Sequence, residues 1–204
     1  MARGRFITLE GGEGAGKSTQ ARRLALALAA EGIPVLRTRE PGGAPGAEAI
    51  RRVLLGEGPW DGVAECMLHF AARREHVART IRPALEAGIW VISDRFADST
   101  LAYQGFGQGV PRTVFDQLAA VALEGLVPDL TLVLEIDAAE GLARAATRGD
   151  VNRYEAMDAD FHARIRAGFR AIAAAEPGRC VLVDATGGPE GVAGAILRAV
   201  QALR

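Results

Sequence analysis

The sequence predicts an α/β fold: a five-stranded, doubly wound parallel sheet flanked by helices. Three observations predict it. Five short apolar runs alternate with helical stretches, and each parallel crossover wants a helix between its strands. One run, Ile89-Trp90-Val91-Ile92-Ser93, is apolar nearly throughout, as expected of a strand buried on both faces. The first run, Phe6-Ile7-Thr8-Leu9, passes through Glu10 into Gly11-Gly12-Glu13-Gly14-Ala15-Gly16-Lys17-Ser18 and then a stretch rich in Ala, Leu and Arg from Thr19 to Leu28, giving strand, glycine-rich turn and helix.

That turn carries Gly-x4-Gly-Lys-Ser, a phosphate-binding (Walker A) loop. Glycines let several backbone N–H groups converge on one anion, and the helix that follows adds the positive end of its dipole. Lys17 is placed to reach the β- and γ-phosphates of a nucleoside triphosphate, and the Ser18 hydroxyl to hold a magnesium ion. The loop thus offers Gly11, Gly12, Glu13, Gly14, Ala15, Gly16, Lys17, Ser18 and Thr19 as ATP-binding residues. Of the 24 Lys and Arg residues, Lys17 is the only lysine. The chain uses Arg for every other cation, yet keeps here the compact ammonium that fits a backbone cradle.

Beyond the first helix, Gly32 is placed to end it and Val35–Thr38 reads as a second strand. Arg39-Glu40-Pro41-Gly42-Gly43 is a turn-rich loop, and Ala47–Leu55 a helix. Apolar spacing from Val63 to Ala87 predicts one long helix, bent near Pro83 and closed by Gly88. After the third strand, Asp94-Arg95 stands at its C-terminal end, where ligands bind in open α/β sheets. Ser99–Gly109 carries polar residues and three glycines, with Thr100 and Tyr103 on one face of a helical turn. Pro111 starts a helix to Glu124, and Leu130–Ile136 is the fourth strand. Ala138–Thr147 is helix, Arg148–Tyr154 a basic loop, Asp158–Ala175 helix, Cys180–Val183 the fifth strand and Glu190–Leu203 the last helix. No repeat, linker or low-complexity tract divides the chain, so residues 1–204 are expected to form one domain.

Composition narrows the function. A formal net charge of −1 argues against a nucleic-acid partner. No apolar run approaches the roughly 20 residues of a membrane helix, and no signal-peptide pattern precedes the first strand, so no membrane partner and a cytoplasmic location are expected. Cys66 and Cys180 lie far apart in apolar settings and read as buried free thiols, and His69, His76 and His162 show no zinc-ligand spacing. Guanine-nucleotide switches need an Asn-Lys-x-Asp motif, which a chain whose only lysine is Lys17 lacks. A small phosphoryl-transfer kinase remains, an enzyme that works by positioning, magnesium and arginines.

Five stretches, in order, resemble the thymidylate kinase family: Arg39-Glu40-Pro41-Gly42-Gly43, Phe70-Ala71-Ala72-Arg73, Asp94-Arg95-Phe96, Ser99-Thr100-Leu101-Ala102-Tyr103-Gln104-Gly105, and Pro128-Asp129-Leu130-Thr131-Leu132. The resemblance runs essentially end to end and implies a P-loop kinase fold, transfer of the ATP γ-phosphoryl group to dTMP with magnesium, and a homodimer built through helices near the second and third strands. It implies that Arg95 and Arg39 hold the dTMP phosphate, that Asp94 orients arginines or a magnesium-bound water, and that Glu13 faces the sugar. Thr100 is implied to bond the thymine edge, Tyr103 to crowd the sugar 2' carbon, and Gln104 to belong to the same site. A lid at about residues 144–156 is implied to bring Arg148 and Arg153 onto the transferring phosphoryl group, because bacterial-type members have Gly at the position of Gly14 and supply the cation from the lid.

Two departures stand out. Many members place Phe four residues before the Arg that reads thymine, whereas here His69 occupies that place and Phe70 follows. Phe70 with Arg73 is the favoured pair, and Arg74 is the alternative reader. Gln108 stands where bacterial members often have Arg, which leaves either a weakened active-site charge or a compensating Arg nearby.

Overall fold

Burial along the strands decides the layers of the fold. The structure, a computed structural model, describes residues 2–56, 58–146 and 153–203. Strand β1 (Phe6–Glu10) is buried at every residue, and its side chains alternate between two helical layers. Ile7 and Leu9 join one core, and Phe6 joins the other. Thr8 and Glu10 share the face of Phe6, so β1 carries a carboxylate into the protein directly ahead of the glycine loop.

Helix α1 (Lys17–Ala30) begins at Gly16 with no capping side chain and no acidic residue in its first turn. Its N-terminal N–H groups and dipole are left for an anion. Then follow β2 (Val35–Arg39), α2 (Pro45–Gly56) and α3 (Gly62–His76), whose Asp61 cap accepts from the N–H groups of Val63 and Ala64. A π-helical turn, Val77–Ile81, joins α3 to α4 (Arg82–Glu86). The expected long helix is therefore interrupted. Pro83 has no N–H to return to the preceding turn, and the wider turn ahead of it accommodates the missing bond.

Strand β3 (Trp90–Asp94) leads into α5 (Ala97–Thr100) and a second π-helical stretch, Leu101–Gly107, where the sequence suggested only a polar, glycine-rich segment with one helical turn. Close packing explains one of the glycines: a Cβ on Gly107 would lie 2.7 Å from the Phe161 ring. The chain continues through α6 (Arg112–Leu123), β4 (Leu130–Glu135), α7 (Ala138–Ala146), α8 (Ala159–Ala175), β5 (Cys180–Asp184) and α9 (Pro189–Gln201).

Among the described residues the five strands form one parallel sheet in the order β2-β3-β1-β4-β5. Leu24 and Leu28 of α1 and Val192, Ile196 and Val200 of α9 cover one face. Residues of α3, α6 and α8, including Phe70, Phe115, Phe161 and Phe169, cover the other. Cys66 and Cys180 are buried and free, and burial pushes both thiols up to about 11. No described helix is long and apolar enough to cross a membrane. The register aligns Leu9 with Asp94, so the glycine loop and Arg95 leave the sheet side by side.

Candidate active site

A cavity of about 270 Å³ at the C-terminal ends of β1, β2 and β3 is lined by Lys17, Arg39, Arg51, Arg73 and Arg95. On one side lies the glycine loop. Gly14 has φ +67°, and a Cβ there would sit 1.8 Å from the Gly141 carbonyl oxygen, so the loop admits no side chain at this point. The Lys17 ammonium donates to the carbonyls of Gly11 (3.1 Å) and Gly12 (2.6 Å). Burial, then the nearby Arg95, lowers its pKa to about 8. Ser18 donates a short hydrogen bond to Asp94.

Against the loop stands Arg95, held at φ +71°, a backbone conformation rare for a residue with a Cβ. Its N–H group bonds the Leu9 carbonyl (3.0 Å), and its guanidinium donates to Gly11 O and Ser99 Oγ (3.1 Å each), Glu13 Oε1 (2.8 Å) and Tyr103 Oη (3.0 Å). Burial opposes its charge, but Tyr103, Glu13, Asp94 and Glu10 together raise its pKa above the ordinary arginine value. Tyr103 also donates to Glu13 (2.8 Å), so Glu13, Arg95 and Tyr103 form one closed set.

Glu10 supports this set from beneath. Its carboxyl accepts from Phe96 N (2.8 Å) and Ser99 Oγ (2.5 Å), fixing the turn that carries Arg95. Burial, then Asp98, raises its pKa to about 7. Arg39 donates to Glu48 (2.7 and 3.3 Å), whose carboxyl is thereby lowered to about 2. Arg51, unremarked in the sequence, also lines the cavity and donates to Pro41 O (2.7 Å).

At the far end lie His69, Arg73, Thr100, Gln104 and Tyr154. Arg73, buried, donates through Nε to Glu40 (2.7 Å) and through one terminal nitrogen to Phe96 O and Thr100 Oγ1 (3.0 Å each). Its other terminal nitrogen is buried with no partner among the described residues. Glu40 in turn meets His76 Nδ1 (2.9 Å), and His76 Nε2 meets Thr38 Oγ1 (2.7 Å).

The structure places Phe70, Arg74 and Arg153 away from the cavity lining. Phe70 does not line the cavity; it is core, edge-on to Phe115 at 5.3 Å with Arg73 over its face. Residues four apart share a helix face, so it is His69 that accompanies Arg73. Arg74, one residue on, points elsewhere and pairs with Glu124 at 2.8 Å. Arg153 does not face the phosphate end either, because its guanidinium is taken up by Glu65 (2.6 Å) and the Tyr154 hydroxyl (3.0 Å). Gln108 reaches the same carboxylate at 3.3 Å. Arg148 and the middle of the expected lid lie outside the described residues.

Glu10, Glu40, Arg51, Glu65, His76 and Tyr154 were given no role from sequence. Glu10 carries a signal as a carboxylate at the end of a strand buried throughout, and Glu40 as part of the Arg39–Gly43 stretch after β2.

No described cluster of three or more His, Cys, Asp or Glu residues suits a metal ion. Ser18 and Asp94 alone place two hard oxygen donors together at the start of α1. That fits magnesium, which keeps several waters and takes its remaining ligands from phosphates. A second cavity of about 430 Å³ opens on the other flank of the loop, lined by Gly14, Gly16, Thr19, Arg144 and the Thr186–Pro189 turn.

A sequence profile of the thymidylate kinase family matches residues 9–196. The chain is 51% identical over 202 residues to the thymidylate kinase of Rhizorhabdus wittichii, with 97% of each chain covered. It is 55% identical over 202 residues to that of Gluconobacter oxydans, covering 97% of this chain and 94% of the other. The crystal structure of thymidylate kinase from Ehrlichia chaffeensis superposes with a TM-score of 0.81 at 33% identity, covering 97% of this chain and 99% of that one.

Proposed function

The chain belongs to the thymidylate kinase family, and from that premise we propose how its residues divide the work. It is an ATP-dependent kinase that phosphorylates dTMP to dTDP, a step in dTTP synthesis. The observation that supports the assignment of residues is that Lys17 of the glycine loop and Arg95 meet on the Gly11 carbonyl at the wall of one cavity, where two phosphate groups can be held end to end.

The glycine loop and Lys17 hold the triphosphate, and the second cavity takes the nucleoside of ATP. Magnesium, held through Ser18 and Asp94, supplies neutralisation of the phosphate oxygens when bound. Arg95, backed by Arg39 and Arg51, holds the dTMP phosphate by charge-assisted hydrogen bonds. Glu13 and Tyr103 keep Arg95 in place, and the Tyr103 ring stands at the sugar. Thr100, Arg73 and Gln104 meet the thymine edge, with His69 in the ring position beside Arg73.

The acceptor is already an anion, so transfer requires alignment and charge neutralisation rather than a general base. We assign the cation of the 144–156 lid to Arg148 on sequence grounds, and to Arg153 the anchoring of that segment to Glu65. A cytoplasmic homodimer completes the proposal. Val53 of α2, Met67 of α3 and Val121 of α6 are exposed apolar residues, and the family resemblance implies a dimer through helices near the second and third strands.

Incubation with ATP, magnesium and, side by side, dTMP, dUMP, UMP, CMP and AMP tests the proposal. Rapid dTDP formation is expected, with a rise in the dTMP KM for Arg95→Ala and in the ATP KM for Lys17→Ala. Brisk turnover of another acceptor with none of dTMP would overturn it.

A further inference from the structure

The carboxylate of Glu65 is 1% exposed and does not line the cavity, yet it touches side chains that do. Its Oε1 accepts from Gln104 Nε2 (2.7 Å) and Tyr154 Oη (2.5 Å), and its Oε2 faces Arg153 (2.6 Å). Gln108 adds a longer contact to each oxygen, at 3.3 Å. A carboxylate paired with arginine has no proton to give, so every group that meets it must donate.

Two consequences follow for the cavity. Gln104 must turn its NH2 end toward Glu65, which leaves its amide oxygen as the other end, and that oxygen is buried without a partner among the described residues. Tyr154 has one hydroxyl proton, and Glu65 takes it. The Tyr154 oxygen can then only accept from His69 Nε2, 3.1 Å away. Burial, followed by Arg73, Arg153 and Arg95, lowers the His69 pKa to about 3, so the ring is neutral and its single proton belongs on Nε2.

Arg73 brings the complementary atom, a guanidinium nitrogen at the same end of the cavity that is buried with no partner among the described residues. The site therefore offers one donor and one acceptor, the counterpart of the neighbouring C=O and N–H on a pyrimidine-dione edge. A cytosine edge presents an amino group and a bare ring nitrogen instead, setting donor against donor and acceptor against acceptor.

We propose that Glu65 is a positioning residue that fixes the hydrogen-bond polarity of the base end, orienting Gln104 directly and His69 through Tyr154, so that the enzyme accepts a pyrimidine dione and rejects an aminopyrimidine. This rests on the reading that the monophosphate's base occupies that end. It differs from a structural role for Glu65, which would affect stability but not the choice between bases.

The test is the ratio of kcat/KM for dTMP to that for dCMP in the full-length enzyme and in Glu65→Gln. An amide at position 65 can donate as well as accept, which frees both orientations. The ratio should fall by about tenfold or more, with the ATP KM unchanged, since mismatched buried polar groups carry selectivity of this order or larger. A folded Glu65→Gln enzyme with an unchanged ratio overturns the proposal.

If that variant does not fold, histidine 15N shifts of the unsubstituted protein decide instead. Protonation of His69 on Nε2 supports the proposal, and protonation on Nδ1 overturns it. Arg95→Ala separates the two levels of the argument. A dTMP KM that it leaves unmoved removes the placement of substrate in this cavity, and the role of Glu65 with it. A raised KM beside an unchanged base ratio in Glu65→Gln removes the role of Glu65 alone.

Discussion

Glu40 grips Arg73 from behind: its Oε2 accepts from Arg73 Nε at 2.7 Å, and neither side chain is more than 3% exposed. The carboxylate thus holds the guanidinium with one terminal nitrogen left for a ligand. Glu40→Ala strands a buried cation, and loss of one partner of such a pair costs about 3–5 kcal/mol. Denaturant unfolding should show a loss of that order. Glu40→Gln, which keeps the shape, should raise the dTMP KM while leaving the ATP KM in place. Equal shifts in both KM values would detach Glu40 from the base end.

Lys17 gives a pH signature. With its pKa near 8 in the free enzyme, the ammonium is lost as pH rises through 8. We expect kcat/KM for ATP to fall roughly tenfold per unit above that point, because this parameter reports the free enzyme. Bound phosphates favour the charged form, so kcat should hold to higher pH. A kcat/KM flat to about pH 10 would contradict the assignment.

Glu10 couples the same region to stability. Its folded pKa, about 7, lies above the ordinary value of 4.5, so between these limits the folded protein binds the extra proton. The stability it contributes is fully present below about pH 4.5 and is lost as pH rises through 7, amounting to about 3 kcal/mol at most. Urea unfolding between these limits should show this decline, and Glu10→Gln should remove it. An unchanged slope in the variant would place its origin elsewhere.

Arg153 should behave as an anchor. Arg153→Ala leaves Glu65 buried without its cation, and we expect lower thermal stability and a raised dTMP KM, with kcat reduced less than about tenfold. A kcat loss of about 10²-fold or more with an unaltered KM would return Arg153 to the transferring phosphoryl group.

The strands and the glycine loop were legible because each depends on local pattern: apolar runs, helical spacing and a turn that only glycines can make. Lys17, Ser18, Asp94 and Arg95 were legible for the same reason. The base end was not. Whether His69 or Phe70 faces the cavity depends on the rotation of α3, which the packing of Phe70 on Phe115 sets from outside the motif. Glu65 looked like any acidic residue in the first turn of a helix, since its partners lie 39, 43, 88 and 89 positions away. The π-helical turn that aims Tyr103 and Gln104 leaves only a run of glycines as its trace.

The backbone contact between Gly14 and Gly141 ties the design of the phosphate loop to a distant segment. A Cβ on Gly141 would in turn lie 2.4 Å from the Glu13 carbonyl oxygen, so the crowding is mutual. Transplanting a loop with an arginine at position 14 into this chain would therefore require α7 to be displaced as well. The two segments have to be exchanged together as one cassette, and a chimera that swaps only the first should misfold locally at the mouth of the loop.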